Sequence, residues 1–227
     1  MDCCAYTQDM NNRFDEAYAR DEVQQYWKKG LDRPTRAMVE AVSRRGVTGA
    51  TLLEVGGGIG GLYAELLRRG AARATNVDVS AAYLAAAQSV AEQSGIRDRV
   101  AYCRADFVRE ADNVPAADVV ILHRLICCYP DMNALVTAAA QHSNRLMALS
   151  FPRDVWYMRL FEKVSNFGMW VKGSGFRFYV HSPKTILSTG LAANLAPVQQ
   201  TRSGPWQIVV FERITGGIRL KQRPSRY

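Results

Sequence analysis

The sequence predicts an α/β fold built on a doubly wound, mostly parallel sheet of seven strands with an antiparallel edge strand. Between residues 50 and 150, short apolar runs with strand character alternate with longer segments of helical character. This alternation is the order of a parallel sheet that carries helices on both faces. Further along, the turn Gly204-Pro205 separates two strand-like runs and indicates an antiparallel hairpin at the sheet edge.

The elements follow from local patterns. A helical cover is predicted over residues 1–49, with one helix over 11–30 and a second from near Pro34 to Gly46, capped by Asp32. The ligand-binding domain is predicted over 50–213, and residues 214–227 are expected to form a basic flexible tail. Strands are expected over 51–55, 74–79, 99–104, 118–122, 146–150 and 206–212, and a further strand is expected to end at 199–201. Helices are expected over 60–69, 81–94, 131–142 and 183–188, and an aromatic insertion over 152–181.

Composition limits the classes of protein. The chain has 227 residues, 48% of them hydrophobic, which is enough for one sizeable core. The cysteine count is five, an odd number with two adjacent pairs, and this pattern does not indicate a disulfide framework. We find no signal peptide and no apolar run long enough to span a membrane, so we expect a cytoplasmic protein.

The first strand of the domain ends in a glycine-rich turn, Gly56-Gly-Gly-Ile-Gly60. Glycines at these positions let a ligand approach the backbone closely, at the start of a helix. The dinucleotide pattern Gly-x-Gly-x-x-Gly is also satisfied, through Gly56, Gly58 and Gly61. Glu54, just before the turn, favours a ligand that carries an ammonium and a sulfonium, because a carboxylate suits a pyrophosphate poorly.

The next two strands also end in acidic residues. Asp78 lies 20 residues after Gly58, where it would accept hydrogen bonds from ribose hydroxyls. Asp106 and Phe107 follow the third strand, and an acid beside an aromatic ring suits an adenine. For both aspartates the alternative is helix capping, and for the glycines it is a tight turn without a ligand.

On the segments 53–60, 77–79, 104–107 and 118–123, the chain resembles the class I S-adenosylmethionine-dependent methyltransferases. More loosely, it is similar to their magnesium-protoporphyrin O-methyltransferase-like branch. The resemblance covers about residues 50–150. It implies S-adenosylmethionine as cofactor and methyl transfer to a small or medium-sized acceptor, with an oxygen nucleophile as the leading choice. The residues implied to hold the cofactor are Glu54, Gly56, Gly57, Gly58, Gly60, Asp78, Val79, Ala105, Asp106, Phe107 and His123.

His123 follows the buried strand 118–122 and is the candidate catalytic residue. A neutral imidazole takes up a proton near pH 7, so it would serve as a base for a hydroxyl acceptor. With a carboxylate acceptor, already a nucleophile, His123 would position rather than deprotonate. A purely structural histidine is the alternative. The candidate substrate contacts are Arg124, Tyr129, Trp156, Arg177 and His181.

The insertion begins with a helix over about 153–171 that places five apolar residues on one face: Trp156, Leu160, Val164, Phe167 and Val171. Three roles of this face stay open. It would pack on the sheet, cover the pocket of a bulky apolar substrate, or contact a membrane surface. Arg153, Arg159, Lys163 and Lys172 would supply positive charge for the third use.

Three other functions stay open. The pairs Cys3-Cys4 and Cys127-Cys128 suit the methylation of a thiophilic metalloid, although adjacent cysteines do not have the spacing of a zinc site and no resident metal is expected. A dinucleotide-dependent oxidoreductase would have to tolerate Glu54, and the chain lacks a Tyr-x-x-x-Lys pair. A binding protein that has lost activity is the third.

The run 123–130 does not match the acceptor motif of nucleic-acid methyltransferases, so no nucleic acid is expected as partner. The sequence does not predict an oligomeric state.

Overall fold

The computed structural model describes residues 3–214, with side chains from Gln8 onward. This part of the chain contains seven strands, which form one sheet in the order β3-β2-β1-β4-β5-β7-β6. The strands from β1 to β5 pair in parallel, whereas β7 is antiparallel to both β5 and β6. The predicted fold class is therefore confirmed. The strands are β1 (Thr51–Val55), β2 (Arg73–Asp78), β3 (Val100–Arg104), β4 (Ala117–His123), β5 (Ser143–Pro152), β6 (Leu195–Ser203) and β7 (Trp206–Arg213).

The same range contains eight α-helices, and most lie where the sequence predicts them. The prediction of a single helix over 11–30 is wrong. The first helix ends at Arg13, and a second helix begins at Glu16. Asp15 caps that second helix by accepting a hydrogen bond from the amide of Tyr18 at 2.9 Å. The helices are α1 (Cys3–Arg13), α2 (Glu16–Lys29), α3 (Arg33–Ser43), α4 (Gly61–Arg68), α5 (Ala81–Gln93), α6 (Met132–Gln141), α7 (Trp156–Val171) and α8 (Pro183–Ala192).

The central strands β1 and β4 are buried on both faces, as their apolar runs predict. Neighbouring residues point to opposite sides, so Leu52 and Leu53 belong to different core clusters. One cluster includes residues of α6 and α8, and the other includes residues of α3 and α4. Two helical layers thus cover the sheet. None of the described helices is long and apolar enough to cross a membrane.

The carboxyl ends of the parallel strands meet at one edge of the sheet, and the segment α1–α2 is bonded to this edge. The hydroxyl of Ser80 donates to the carbonyl of Phe14 at 2.7 Å, and the hydroxyl of Tyr83 donates to Glu22 at 3.1 Å. Phe14 also stacks on Tyr83. These contacts hold α1 and α2 over the glycine turn. The division into cover, ligand-binding domain and tail stays a prediction, and residues 215–227 lie outside the described part.

Candidate active site

The glycine turn between β1 and α4 has a backbone that side chains would not permit. Gly56 and Gly58 have positive φ angles of 66° and 52°. A Cβ at Gly56 would lie 2.9 Å from Leu125 Cδ1, and one at Gly57 would overlap the side-chain oxygen of Asn76. The turn therefore depends on glycine both for its conformation and for the close approach of neighbouring side chains.

Glu54 is buried behind this turn. The amide of Tyr63, in the first turn of α4, donates to its carboxylate at 3.2 Å. No Lys or Arg of the described residues forms an ion pair with it, and burial together with the nearby Asp78 raises the pKa of Glu54 to about 8. A buried carboxylate without a cation is complementary to a positively charged ligand. The site therefore fits the ammonium of S-adenosylmethionine.

Asp78, at the end of β2, faces the same cavity. It accepts hydrogen bonds from the amides of Gly58 at 3.1 Å and Ser80 at 2.9 Å, and burial raises the pKa of Asp78 to about 6. Ser80 supplies the side-chain cap of α5, by accepting from the amide of Tyr83 at 3.1 Å. The carboxylate of Asp78 thus retains acceptor capacity for ligand hydroxyls.

Asp106 follows β3 and also lines the cavity. Its carboxylate accepts from the amide of Val108 at 3.2 Å and from the hydroxyl of Tyr129 at 3.1 Å. Burial and this carboxylate together raise the pKa of Tyr129, which stays a neutral donor. The buried ring of Phe107 packs edge-on against His142, with centroids 5.1 Å apart. Polar and aromatic groups that suit an adenine therefore lie side by side.

These residues surround a cavity of about 550 Å³, within the ordinary range for a small-ligand site. Helices α2 and α3 close it from above with Glu22, Gln25, Tyr26, Lys29 and Arg36. The structure brings most of the sequence-predicted residues together in its lining. Those residues are Glu54, Gly56, Gly57, Gly58, Asp78, Val79, Ala105, Asp106, Phe107, His123, Arg124 and Tyr129.

Four sequence-predicted residues do not line the cavity. Gly60 lies inside the turn, where a Cβ would overlap the hydroxyl of Tyr63. Trp156 begins α7 and its side chain points to solvent. Arg177 donates to the carbonyls of Ser174 and Phe176, and His181 Nε2 lies 3.1 Å from the carbonyl of Tyr129. The last two side chains hold the backbone around the site.

His123 has both ring nitrogens engaged by hydroxyl groups. Nδ1 lies 2.9 Å from the hydroxyl of Ser150, and Nε2 lies 3.1 Å from the hydroxyl of Thr35. Because Thr35 donates to Asp32 at 2.6 Å, its oxygen accepts from Nε2–H, so Nδ1 accepts from Ser150. Burial and the charge of Arg124 lower the pKa of His123 to about 3. The imidazole is therefore neutral, and each of its nitrogens already has a partner.

Arg124 completes this network from a strained conformation. Its φ is 58°, which is uncommon for a residue with a side chain. Its amide donates to Ser150 at 2.8 Å, its guanidinium forms an ion pair with Asp32, and it lies over the ring of Trp206 at 5.2 Å. The hydrogen bonds thus run in a closed circuit, which joins α3 to the ends of β4 and β5: Arg124, Ser150, His123, Thr35 and Asp32.

The cysteine pair after β4 divides between the core and the cavity. Cys127 is buried and donates to the carbonyl of Arg124 at 3.2 Å, whereas Cys128 lines the cavity. The two sulfurs are 3.7 Å apart. Contact with Cys128 and burial raise the pKa of Cys127, so this thiol stays protonated. Within the described residues, no group of three or more His, Cys, Asp or Glu could hold a metal ion. The side chains of Cys3 and Cys4 lie outside the described part.

Sequence reasoning missed several residues of this site, among them Thr35, Glu22 and Ser150. Thr35 and Glu22 lie on the covering helices and gave no signal by themselves. Ser150 is the first polar residue after the apolar run 146–149. That is the signal that identified His123, and it was available for Ser150 as well.

The fold and the residues that line this cavity are those that a class I S-adenosylmethionine-dependent methyltransferase requires. Residues 52–145 match the family described as "Methyltransferase domain". The predicted resemblance, the assignment as a methyltransferase and S-adenosylmethionine as cofactor are thereby confirmed, and the oxidoreductase alternative finds no support. No curated protein sequence matches the chain.

Solved structures share the fold at low identity. Magnesium protoporphyrin IX methyltransferase from Synechocystis, with bound S-adenosylhomocysteine, is 19% identical, with 80% of this chain and 82% of that chain covered and a TM-score of 0.65. An O-methyltransferase family protein from Burkholderia thailandensis is 20% identical, with 90% and 63% covered and a TM-score of 0.70. An O-methyltransferase family 2 protein from Planctomyces limnophilus, in complex with apigenin, is 19% identical, with 82% and 63% covered and a TM-score of 0.61.

Proposed function

We propose that this methyltransferase transfers the methyl group to an anionic oxygen, a carboxylate or an acidic hydroxyl, of a small or medium-sized acceptor. The observation that carries the proposal is the engagement of both His123 nitrogens by hydroxyl groups. A histidine with a pKa lowered to about 3 and no free nitrogen is poorly suited to take a proton from a neutral alcohol. An acceptor that is already ionised needs no base.

Different residues would bind different parts of the cofactor. Glu54 would hold the ammonium, Asp78 the ribose hydroxyls, and Asp106 with Phe107 the adenine. When bound, S-adenosylmethionine supplies an electrophilic methyl group on a sulfonium. The protein's remaining task is to hold the acceptor in line with that methyl group and to keep water out.

Cations in the cavity lining would favour an acceptor with negative charge. Lys29 and Arg36 line the cavity from α2 and α3, and Arg124 lines it from the end of β4. A cation near a carboxylate or phenolate stabilises its ionised form and orients its oxygen. His123, fixed at both nitrogens, would shape the pocket beside that oxygen and position the acceptor. The resemblance to magnesium protoporphyrin IX methyltransferase makes a porphyrin carboxylate one reasonable acceptor to test.

The experiment uses S-adenosylmethionine labelled in the methyl group and a panel of carboxylic acids, phenols, aliphatic alcohols, thiols and arsenite. Carboxylates or phenols should accept the label. A methyl ester releases labelled methanol in mild alkali, whereas an aryl ether keeps its label, so this treatment separates the two oxygen classes. Turnover confined to aliphatic alcohols would contradict the proposal.

Methylation of a thiophilic metalloid is the second candidate, because Cys128 lines the cavity with Cys127 beside it. Turnover of arsenite that is lost in Cys128→Ser would favour it over the oxygen proposal. The same variant should leave transfer to an oxygen acceptor nearly unchanged if the first proposal is correct. Calorimetry with S-adenosylhomocysteine and with NAD provides a binding control that does not depend on the acceptor.

A further inference from the structure

Helix α7 exposes an apolar face to solvent. Six large side chains, each at least 53% exposed, form this face: Trp156, Leu160, Val164, Phe167, Trp170 and Val171. Five of them are the residues that periodicity places on one face. The face therefore does not pack on the sheet, and none of its residues lines the cavity. A contiguous apolar surface of this kind marks an interaction site more often than an ordinary surface.

The opposite side of α7 is fixed to the body of the protein. The side chain of Asn166 accepts from the amide of Phe178 and donates to its carbonyl, both at 2.8 Å. Glu162 accepts from the amide of Val180 at 3.1 Å. Met158 is the buried residue of the helix. The apolar face is thus directed outward by defined contacts on the other side of the helix.

Positive charge lies on and beside this face. Lys163 lies on α7 and Lys172 follows its last turn, and both are exposed. Arg159 forms ion pairs with Asp154 and Glu162, whereas neither lysine is in an ion pair with a described residue. Two tryptophans lie near the two ends of the helix, and this residue type favours the boundary between water and lipid. Aromatic residues with basic neighbours are the pattern of a helix that lies in a membrane surface.

We propose that α7 docks the protein on an anionic lipid surface, with its apolar face inserted at the level of the headgroups and Lys163 and Lys172 on the phosphates. Charge complementarity decides between lipid and a second copy of this chain. A second copy would add two more lysines to the same interface, whereas an anionic membrane neutralises them. The chain carries a net charge of +8, which adds attraction of the same sign.

The docking helix starts at the sheet edge where the cavity lies, because α7 follows the carboxyl end of β5. The segment after α7 continues to Phe176, whose ring packs edge-on against Phe14, a residue of the cavity lining. Docking would therefore place the active site near the lipid surface. Docking depends on the exposed surface of α7 and not on the identity of the methyl acceptor.

The test is co-sedimentation of the full chain with vesicles of phosphatidylcholine, with and without phosphatidylglycerol. We expect binding to the anionic vesicles that weakens with salt, and little binding to phosphatidylcholine alone. Phe167→Ser combined with Trp170→Ser should lower the partition coefficient by about tenfold or more. Lys163→Glu combined with Lys172→Glu should lower it by about 25-fold or more at low salt, since each lysine contributes roughly fivefold.

Matched controls change the same chemistry elsewhere. Leu191→Ser with Val198→Ser replaces two exposed apolar residues outside α7, and Arg73→Glu reverses an exposed charge at the amino end of β2. Both should bind like the wild type. A shift in Tm on addition of S-adenosylhomocysteine, retained in every variant, reports that the fold is intact.

Three results would overturn the proposal. One is the absence of binding to anionic vesicles, and another is wild-type binding by the two α7 variants, which would assign the contact to another part of the chain. The third is a wild-type dimer in light scattering that the Phe167/Trp170 variant converts to a monomer, which would assign the face to a second copy. Quenching of tryptophan fluorescence by brominated lipid, lost in Trp156→Phe with Trp170→Phe, would support insertion.

Discussion

The hydroxyl oxygen of Thr35 lies 3.1 Å from Nε2 of His123 and thereby joins the first turn of α3 to the end of β4. Asp32, which caps α3, also pairs with Arg124. One covering helix and the floor of the cavity are thus connected through the closed circuit of hydrogen bonds. The fixed orientation of His123 depends on its two partners in that circuit, Thr35 and Ser150.

Replacing Thr35 with Val tests this connection, because the two side chains have nearly the same shape. The Nε2–H of His123 would lose its acceptor, and a buried donor without a partner costs about 1–3 kcal/mol. We expect a lower free energy of unfolding and a reduced kcat for methyl transfer. Thr35→Ser keeps the hydroxyl and is the control. Equal unfolding energies for the Val and Ser variants would show that the contact does not stabilise the protein.

The strained backbone of Arg124 predicts a difference between two small replacements. Arg124→Ala loses the side chain and keeps the strain at φ 58°, whereas Arg124→Gly loses the side chain and relieves the strain. The Gly variant should be more stable than the Ala variant by about 1 kcal/mol. Urea denaturation measures the difference. Asn194, the other described residue with a side chain and a positive φ, provides the same pair of replacements away from the cavity.

Cofactor affinity should depend on pH through Glu54. Its pKa is raised to about 8 in the cofactor-free protein, and the cationic ligand needs the ionised form. The affinity for S-adenosylhomocysteine, whose amino group is also cationic, should therefore rise as pH increases from about 6 to about 8. Glu54→Gln should bind roughly 10- to 100-fold more weakly at pH 8, and its affinity should vary less with pH over this range. Titration calorimetry at several pH values measures both effects.

The same pKa predicts the stability of the cofactor-free protein. A carboxyl whose pKa is higher in the folded than in the unfolded state stabilises the fold fully at pH below its unfolded pKa, near 4.5. This contribution is lost as pH rises through about 8. The wild type should therefore lose stability relative to Glu54→Gln between about pH 5 and pH 8, as measured by Tm. A constant difference between the two over this range would contradict the assignment.

Alanine at position 57 should be poorly tolerated because its Cβ would overlap the side chain of Asn76, and shortening Asn76 should remove this overlap. Unlike Gly56 and Gly58, Gly57 does not have a positive φ, so the obstacle is the Asn76 side chain. Gly57→Ala should weaken S-adenosylhomocysteine binding, and adding Asn76→Ala should restore part of it. Gly168→Ala, on α7 with open space around it, is the control and should stabilise the helix by up to about 1 kcal/mol. No recovery in the double variant would place the obstacle elsewhere.

Local patterns predicted the sheet, the glycine turn and the acids at the strand ends, because each depends on residues close together in the chain. The break after Arg13 was missed, although Asp15 followed by Glu16 is a helix-start signal. The contact of Thr35 with His123 spans 88 positions, so no local pattern contains it. Periodicity likewise identified the apolar face of α7, but it does not tell what covers such a face. The positive φ of Arg124 occurs together with contacts to Asp32 and Trp206, which lie far away in the chain, so no local pattern predicts it either.

The position of Asn76 has a consequence for protein engineering. Its amide donates to the carbonyl of Gly58 at 3.4 Å, and its oxygen occupies the space beside Gly57. Strand β2 thus supports the glycine turn through the side chain of Asn76. A graft that moves only residues 54–60 into another scaffold would leave the turn without this support. The transplantable unit is the turn together with residue 76 of the adjacent strand.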